Sequence, residues 1–172
     1  MTTLQIHQFP CLSDNYGYLI HDPDAGVTAT IDTPEVGPIN AALAETGWEL
    51  THIMNTHHHF DHAGGNEELK ATWHCSIIGS RDDAARIPGI DNLVGEGDTF
   101  QFGNHDVHVF DVSGHTIGHI AYYFPAAGKL FCGDALFALG CGRLFEGTPE
   151  QMWNSLQKLI NLPDSTGVYC AH

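Results

Sequence analysis

The 172-residue chain sets 6 lysines and arginines against 21 aspartates and glutamates, a formal charge of -15. That charge repels phosphate backbones and anionic lipid alike, so nucleic acid and membrane are excluded as partners. A hydrophobic content of 42% with 19 glycines and 8 prolines is that of one turn-rich globular domain over 1–172, neither disordered nor fibrous.

Residues 1–10 have no basic n-region or apolar h-region, and no run is long enough to span a bilayer, so a cytoplasmic location is expected. Strands are predicted over 4–9, 16–21 and 27–31, parted by turn signals at Asp14-Asn15 and Pro23-Asp24-Ala25-Gly26, as in an antiparallel meander. Val36, Ile39 and Leu43 recur at helical spacing over 36–46, with Gly47 as the stop. A strand over 50–55, a weaker helix over 64–73 and a strand over 74–79 follow. Residues 81–98 show no period and read as an irregular connection. Further strands are expected over 99–102, 106–112, 120–124 and 129–132. The last helix opens with a capping box, Thr148 with Gln151, and Pro149 at its first position, and places Trp153, Leu156 and Ile160 on one face. A strand over 167–171 runs into His172. The order suggests two facing sheets with helices outside, an α/β (α+β) sandwich of four layers.

The densest chemistry is Thr56-His57-His58-His59-Phe60-Asp61-His62, where the strand over 50–55 ends. Four imidazoles within six residues make poor core material, because each buried ring needs partners for two nitrogens and protonated rings repel one another. Divalent metal removes that difficulty. Alternate residues His57 and His59 can aim to one side while the turn sends Asp61 and His62 to another, which leaves room for two ions. A flexible metal-scavenging histidine tract would lack the apolar strand before this segment and the Ala63-Gly64-Gly65 turn after it. Three more candidates each follow a strand: His115, Asp134 and His172. Taken singly, Asp134 is an ordinary turn residue and His172 an ordinary chain-end residue; their common placement at strand ends is what counts. The 13 histidines supply neutral nitrogen donors, and the five cysteines form no CxxC pair and read as reduced thiols.

Thr56 to His62 has the form T-H-x-H-x-D-H and resembles the signature of the metallo-β-lactamase superfamily. Ser13-Asp14-Asn15-Tyr16, Gly114-His115-Thr116-Ile117-Gly118-His119, Phe131-Cys132-Gly133-Asp134, Cys170-Ala171-His172 and above all Gly140-Cys141-Gly142-Arg143-Leu144-Phe145-Glu146-Gly147-Thr148 resemble the glyoxalase II family, the hydroxyacylglutathione hydrolases. The resemblance implies the αββα sandwich. It also implies two divalent metal ions, zinc in first place, with iron or manganese accepted by the same donors. His57, His59 and His115 would hold one ion, Asp61, His62 and His172 the other, and Asp134 would bridge them. Asp134 stands where true β-lactamases of the superfamily carry cysteine. His58 and His119 are expected beside the ligands rather than among them.

What the resemblance further implies is a cytoplasmic, monomeric enzyme that hydrolyses S-lactoylglutathione and related 2-hydroxyacyl thioesters in methylglyoxal detoxification. Asp61 and Asp134 would serve a water shared by the ions, and Arg143, Leu144 and Phe145 would form a substrate wall, with Arg143 pairing with a glutathione carboxylate. In that family a Glu-Tyr-Thr stretch and a helical C-terminal domain follow the position of His172. The resemblance therefore implies a catalytic domain without its last covering helix and helical domain, with an exposed apolar patch and a weaker second metal site. Two rival expectations are a one-iron persulfide dioxygenase using His57, His115 and Asp134, and a metal-binding domain without turnover.

Overall fold

A computed structural model describes residues 3–172. Six strands form one sheet in the order β1-β2-β3-β4-β5-β6: β1 Gln5–Cys11, β2 Asn15–Asp22, β3 Val27–Ile31, β4 His52–Met54, β5 Ser76–Ser80 and β6 Asn92–Val94. The first three are an antiparallel meander, and β3 through β6 are parallel. The second sheet has the order β11-β10-β9-β8-β7, from β7 Thr99–Phe102, β8 His105–Asp111, β9 Ile120–Phe124, β10 Lys129–Gly133 and β11 Gly167–Cys170. Only β10 and β11 run parallel in it, joined through a helix as parallel neighbours require.

Three apolar clusters define four layers. Tyr18, Ile20, Ile31, Met54, Phe102, Tyr122 and Phe131 fill the space between the sheets. Burying each such side chain contributes roughly 1.5–3 kcal/mol. Helix α1, Val36–Thr46, and helix α3, Asn66–Trp73, cover the outside of the first sheet through Ile39, Leu43 and Leu69 packed on Leu19, Ile53 and Ile77. Gly47 ends α1 at φ 71, a left-handed turn that glycine adopts without strain. Helix α4, Pro149–Ile160, covers the second sheet by setting Leu159 on Val112, Tyr123 and Leu130. Both halves of its capping box form.

The structure corrects the sequence reading in three places. Helix α4 buries Met152, Ser155 and Leu159, and the side bearing Trp153 and Ile160 faces solvent, 62% and 71% exposed. Two apolar rows one residue apart compete there, and the Ser155 hydroxyl, donating to the Ser113 carbonyl at 2.7 Å, fastens the row that holds it. Residues 81–98 contain a 3-10 turn, Arg81–Asp83, and the edge strand β6, too short for any period to show. A short helix α2, Phe60–Ala63, precedes α3 and carries Asp61 and His62. Among the described residues no helix is long and apolar enough to cross a membrane.

Candidate metal centre

All seven side chains singled out as metal donors gather at one end of the sandwich, where β4, β10 and β11 end and β8 turns into β9. Parallel pairing of β3 with β4 sets Ile31 beside Met54, so the residues after both strands emerge together. Asp32 follows β3 at φ 58, fully inside the protein. Its carboxylate accepts the Thr56 amide and hydroxyl, both at 2.7 Å, and the His62 Nδ1–H at 2.9 Å. The carbonyl of His62 is held in turn by the Thr33 amide and the Asn55 side chain, both at 2.8 Å. Helix α2 is thus fixed by buried polar contacts although it is only one turn long.

On the second sheet, Gly133 takes φ 49 and places Asp134, whose amide donates to His119 Nε2 at 3.0 Å. A Cβ at Gly133 would meet the Thr56 hydroxyl and the His119 ring, so only glycine fits where the two sheets close on the site. The His119 ring stacks on His57 with centroids 4.5 Å apart, outside the clustered donor atoms. Burial pushes its imidazole down to about 3, so it stays neutral. His172 is placed by β11: Tyr16 donates to the Ala171 carbonyl at 2.8 Å and Ala171 to that of Gly133 at 3.1 Å.

The donors fall into two sets. Nε2 of His57 and Nε2 of His115 each lie 3.1 Å from Nδ1 of His59. On the other side, His62 Nε2 lies 3.3 Å from Asp61 Oδ2 and from Asp134 Oδ1, while His172 Nε2 is 3.7 Å from Asp61 Oδ2 and 3.6 Å from Asp134 Oδ2. Asp134 Oδ2 also lies 3.3 Å from His115 Nε2, so this carboxylate faces both sets. Ligand atoms about 2.0–2.2 Å from a tetrahedral ion lie roughly 3.3–3.6 Å from one another, close to these spacings.

Protonation states carry the same message. His115 Nδ1 donates to the Arg143 carbonyl at 2.7 Å, which leaves Nε2 as a lone pair. His57 Nδ1 faces the Thr56 hydroxyl at 3.1 Å, whose own proton goes to Asp32, so its Nε2 is a lone pair too. Both lone pairs point at one nitrogen of His59, which carries at most one proton. His62 Nε2 and Asp134 Oδ1 are buried without a hydrogen-bond partner. Polar atoms buried without partners are costly unless an ion meets them, so the residues fit a divalent metal pair.

Burial holds the imidazoles of His57, His59 and His115 below their usual range, where they are neutral donors at neutral pH. Burial also pulls His62 down, but the Asp32, Asp61 and Asp134 carboxylates outweigh it and carry the metal-free ring up to about 10. Asp61 is held well below the usual carboxylate range chiefly by the His62 ring, whose Nε2 faces its Oδ2 at 3.3 Å. Burial raises the Asp134 carboxyl, yet the facing His172, His62 and His115 rings bring it below its ordinary value.

The segment 140–148 folds over the donors. Gly142 donates to the Asp134 carbonyl at 2.9 Å, and a Cβ there would press on that carbonyl and on His115. The Phe145 ring stands edge-on to His59 and His115, with centroids 5.5 and 5.2 Å away. Arg143, Leu144 and Phe145 are all exposed, with the Arg143 guanidinium 5.7 Å over the Phe145 ring. Sequence reasoning did not assign roles to Asp32, Thr56 or Asn15, whose side-chain amide donates to Asp61 Oδ2 at 3.1 Å. For Asp32 a signal was available: it is one more acid directly after a strand.

The family model described as Metallo-beta-lactamase superfamily matches residues 24–172. A hydroxyacylglutathione hydrolase of Maricaulis maris is 57% identical over 172 residues, all of this chain and 67% of that protein. The chain spans about two thirds of the length of the curated relatives it matches. Among solved structures, ETHE1 from Myxococcus xanthus superposes with a TM-score of 0.86 at 32% identity, over 98% of this chain and 75% of the other. The protein TTHA1623, solved in a di-iron-bound form, gives 0.81 at 25% identity over 96% and 91%.

Proposed function

Since the chain belongs to the metallo-β-lactamase superfamily, and within it to the hydroxyacylglutathione hydrolase family, we propose that it is the catalytic part of a binuclear thioester hydrolase. Its substrates are S-(2-hydroxyacyl)glutathiones, S-lactoylglutathione among them, and its products are glutathione and a 2-hydroxy acid. The observation that carries this reading is the shared position of Asp134 between two complete sets of three donors, His57, His59, His115 and Asp61, His62, His172. The name and likeness of the Maricaulis maris relative support the substrate class, and the di-iron form of TTHA1623 supports a site for two ions.

Divalent ions held by these donors, zinc first, supply a water acidified to about neutrality and a Lewis-acid contact for the thioester carbonyl. The chain does the rest. Neutral His57, His59 and His115 present lone pairs without first losing protons. Asp61 and Asp134, ionised at neutral pH, flank the space between the two sets and would orient the attacking water by accepting hydrogen bonds from it. Phe145 closes the side above His59 and His115 and limits the entry of bulk water. Arg143 offers a bidentate partner to a glutathione carboxylate. The thiolate leaves without a dedicated acid, because its conjugate thiol is far more acidic than an alcohol. The five unpaired cysteines suit a reducing, cytoplasmic setting, and we place the enzyme there as a monomer in methylglyoxal detoxification.

A second reading is a one-iron oxygenase with His57, His115 and Asp134 as a facial triad. The 3.3 Å between His115 and Asp134 favours it, and the full second set of Asp61, His62 and His172 weighs against it. Metal content and thiol release from S-lactoylglutathione, measured on one preparation, separate the readings. Two metals with turnover are expected. One iron with oxygen uptake would select the oxygenase, and metal uptake with no turnover of either kind would sink both.

A further inference from the structure

Beside the donors lies a charged strap that the hydrolysis does not use. Asp83, in the 3-10 turn after β5, is fully buried and accepts from His58 Nδ1 at 2.9 Å. Its other oxygen takes the Arg86 Nε–H at 3.0 Å, and the same guanidinium reaches Glu146, with Nη2 3.2 Å from Oε2. Glu146 also accepts the Ile117 amide at 2.8 Å. Two carboxylates bridged by Arg86 therefore tie together the His58 loop, the 3-10 turn and the loop that carries His115. Room for the strap comes from Gly118, where a Cβ would collide with the Asp83 carboxylate. The hydrogen bond from Arg86 holds the Glu146 carboxyl down to about 2, so the pair stays charged at any working pH.

Glu146 directly follows the wall residues. Upstream, the wall is fastened by the Arg143 carbonyl on His115 and by the Phe145 amide donating to the His115 carbonyl at 3.2 Å. Apart from the backbone bond from Gly147 to Gly114, its far end is held to the body by Glu146 alone before α4 begins. We propose that Arg86 and Glu146 are positioning residues whose ion pair clamps Arg143, Leu144 and Phe145 against the His59 and His115 imidazoles and so sets the affinity for the thiol portion of the thioester. The affinity half rests on the hydrolase reading; the clamping does not.

Trypsin cuts after Arg143 only when the 140–148 segment lifts from the body, so cleavage there reports the clamp without any turnover. In the metal-loaded protein, Glu146→Ala is expected to speed the appearance of the fragment ending at Arg143 by roughly tenfold, the size of a lost charge-assisted contact. Glu146→Gln, which still accepts the Ile117 amide, should fall between, as should Arg86→Lys, whose single ammonium cannot span both carboxylates. With S-lactoylglutathione, KM should rise with the cleavage rate while kcat changes much less. Wild-type cleavage in Glu146→Ala overturns the clamp. Faster cleavage with an unchanged KM overturns its role in affinity. Faster cleavage in a protein that never turns the thioester over leaves the clamp standing and removes the hydrolase reading instead.

Discussion

Replacing Asp32 by asparagine tests how a residue that touches no metal donor atom controls one. In the metal-loaded site the Asp32 carboxylate can only accept, so His62 must carry its proton on Nδ1 and keep a lone pair on Nε2, toward Asp61 and Asp134. Asparagine is nearly the same size. Its oxygen can keep the Thr56 amide, and its amino group then faces His62 Nδ1. To avoid two opposed donors, His62 moves its proton to Nε2, into the space between the carboxylates where an ion would sit. A charge-assisted hydrogen bond to a buried group is worth about 1.5–3 kcal/mol. Its loss from a residue that orients a metal-binding histidine typically weakens metal binding about 10–100-fold. Competition titration against a calibrated chelator should therefore show the ion of Asp61, His62 and His172 weakened by that range, with a smaller loss at the ion of His57, His59 and His115, because the Thr56 hydroxyl that orients His57 shares the altered oxygen. Two ions bound as tightly by Asp32→Asn as by wild type would refute the tautomer argument.

Asp134→Ala removes the group that faces both donor sets and is expected to abolish thiol release while metal content falls below two per chain; an active variant would end the bridging role. Gly142→Ala presses a methyl on the Asp134 carbonyl and His115, and the overpacking should cost about 1–3 kcal/mol in urea denaturation, with a like loss of activity. The pH dependence has two limbs. His57, His115 and His119 have folded values below the usual 6.5, so the stability tied to their neutral state is whole above 6.5 and is lost as pH falls below it. Metal-free His62 is raised to about 10, so its contribution is whole below 6.5 and is lost as pH climbs toward 10. Urea midpoints in excess chelator should peak near pH 6.5, and the alkaline limb should vanish once metal displaces the His62 proton. A flat profile between pH 6.5 and 10 in chelator would contradict the His62 assignment.

The donor cluster was legible because its chemistry is local: four imidazoles and a carboxylate within one heptapeptide cannot be ordinary core or ordinary surface. Asp134 and His172 were legible as candidates through their common placement after strands, and their separate roles only through motif resemblance, since neither neighbourhood looks unusual by itself. Asp32 had a visible position, one more acid after a strand, but its role was hidden for a different reason. Its role arises from the parallel pairing of Ile31 with Met54, which lays Thr56 and His62 over its carboxylate, and nothing in Ile31-Asp32-Thr33-Pro34 records that neighbour. Strand β6 escaped because three residues at a sheet edge hold no period. The buried side of α4 escaped because the row through Trp153, Leu156 and Ile160 is wholly apolar, whereas the row that is buried holds Ser155, whose hydroxyl fastens it to the Ser113 carbonyl.

The division of donors between the sheets bears on how stability and function are joined. His57, His59, Asp61 and His62 follow a strand of the first sheet, whereas His115, Asp134 and His172 follow strands of the second. Each set takes members from both, so neither half of the sandwich could hold an ion alone. Between the sheets the apolar cluster reaches Ile31, Met54 and Ile120 and then gives way to the polar donors. Polar links span the gap instead, the Ile120 amide on the Thr56 carbonyl at 2.9 Å and the Tyr122 hydroxyl on that of Asn55 at 2.7 Å. An ion bound at a hundred times its dissociation constant stabilises the folded chain by about 2.7 kcal/mol, comparable to burying a large core side chain. The ions that activate water would therefore also close the open end of the sandwich, and the same imidazoles that serve the chemistry hold the two sheets in register.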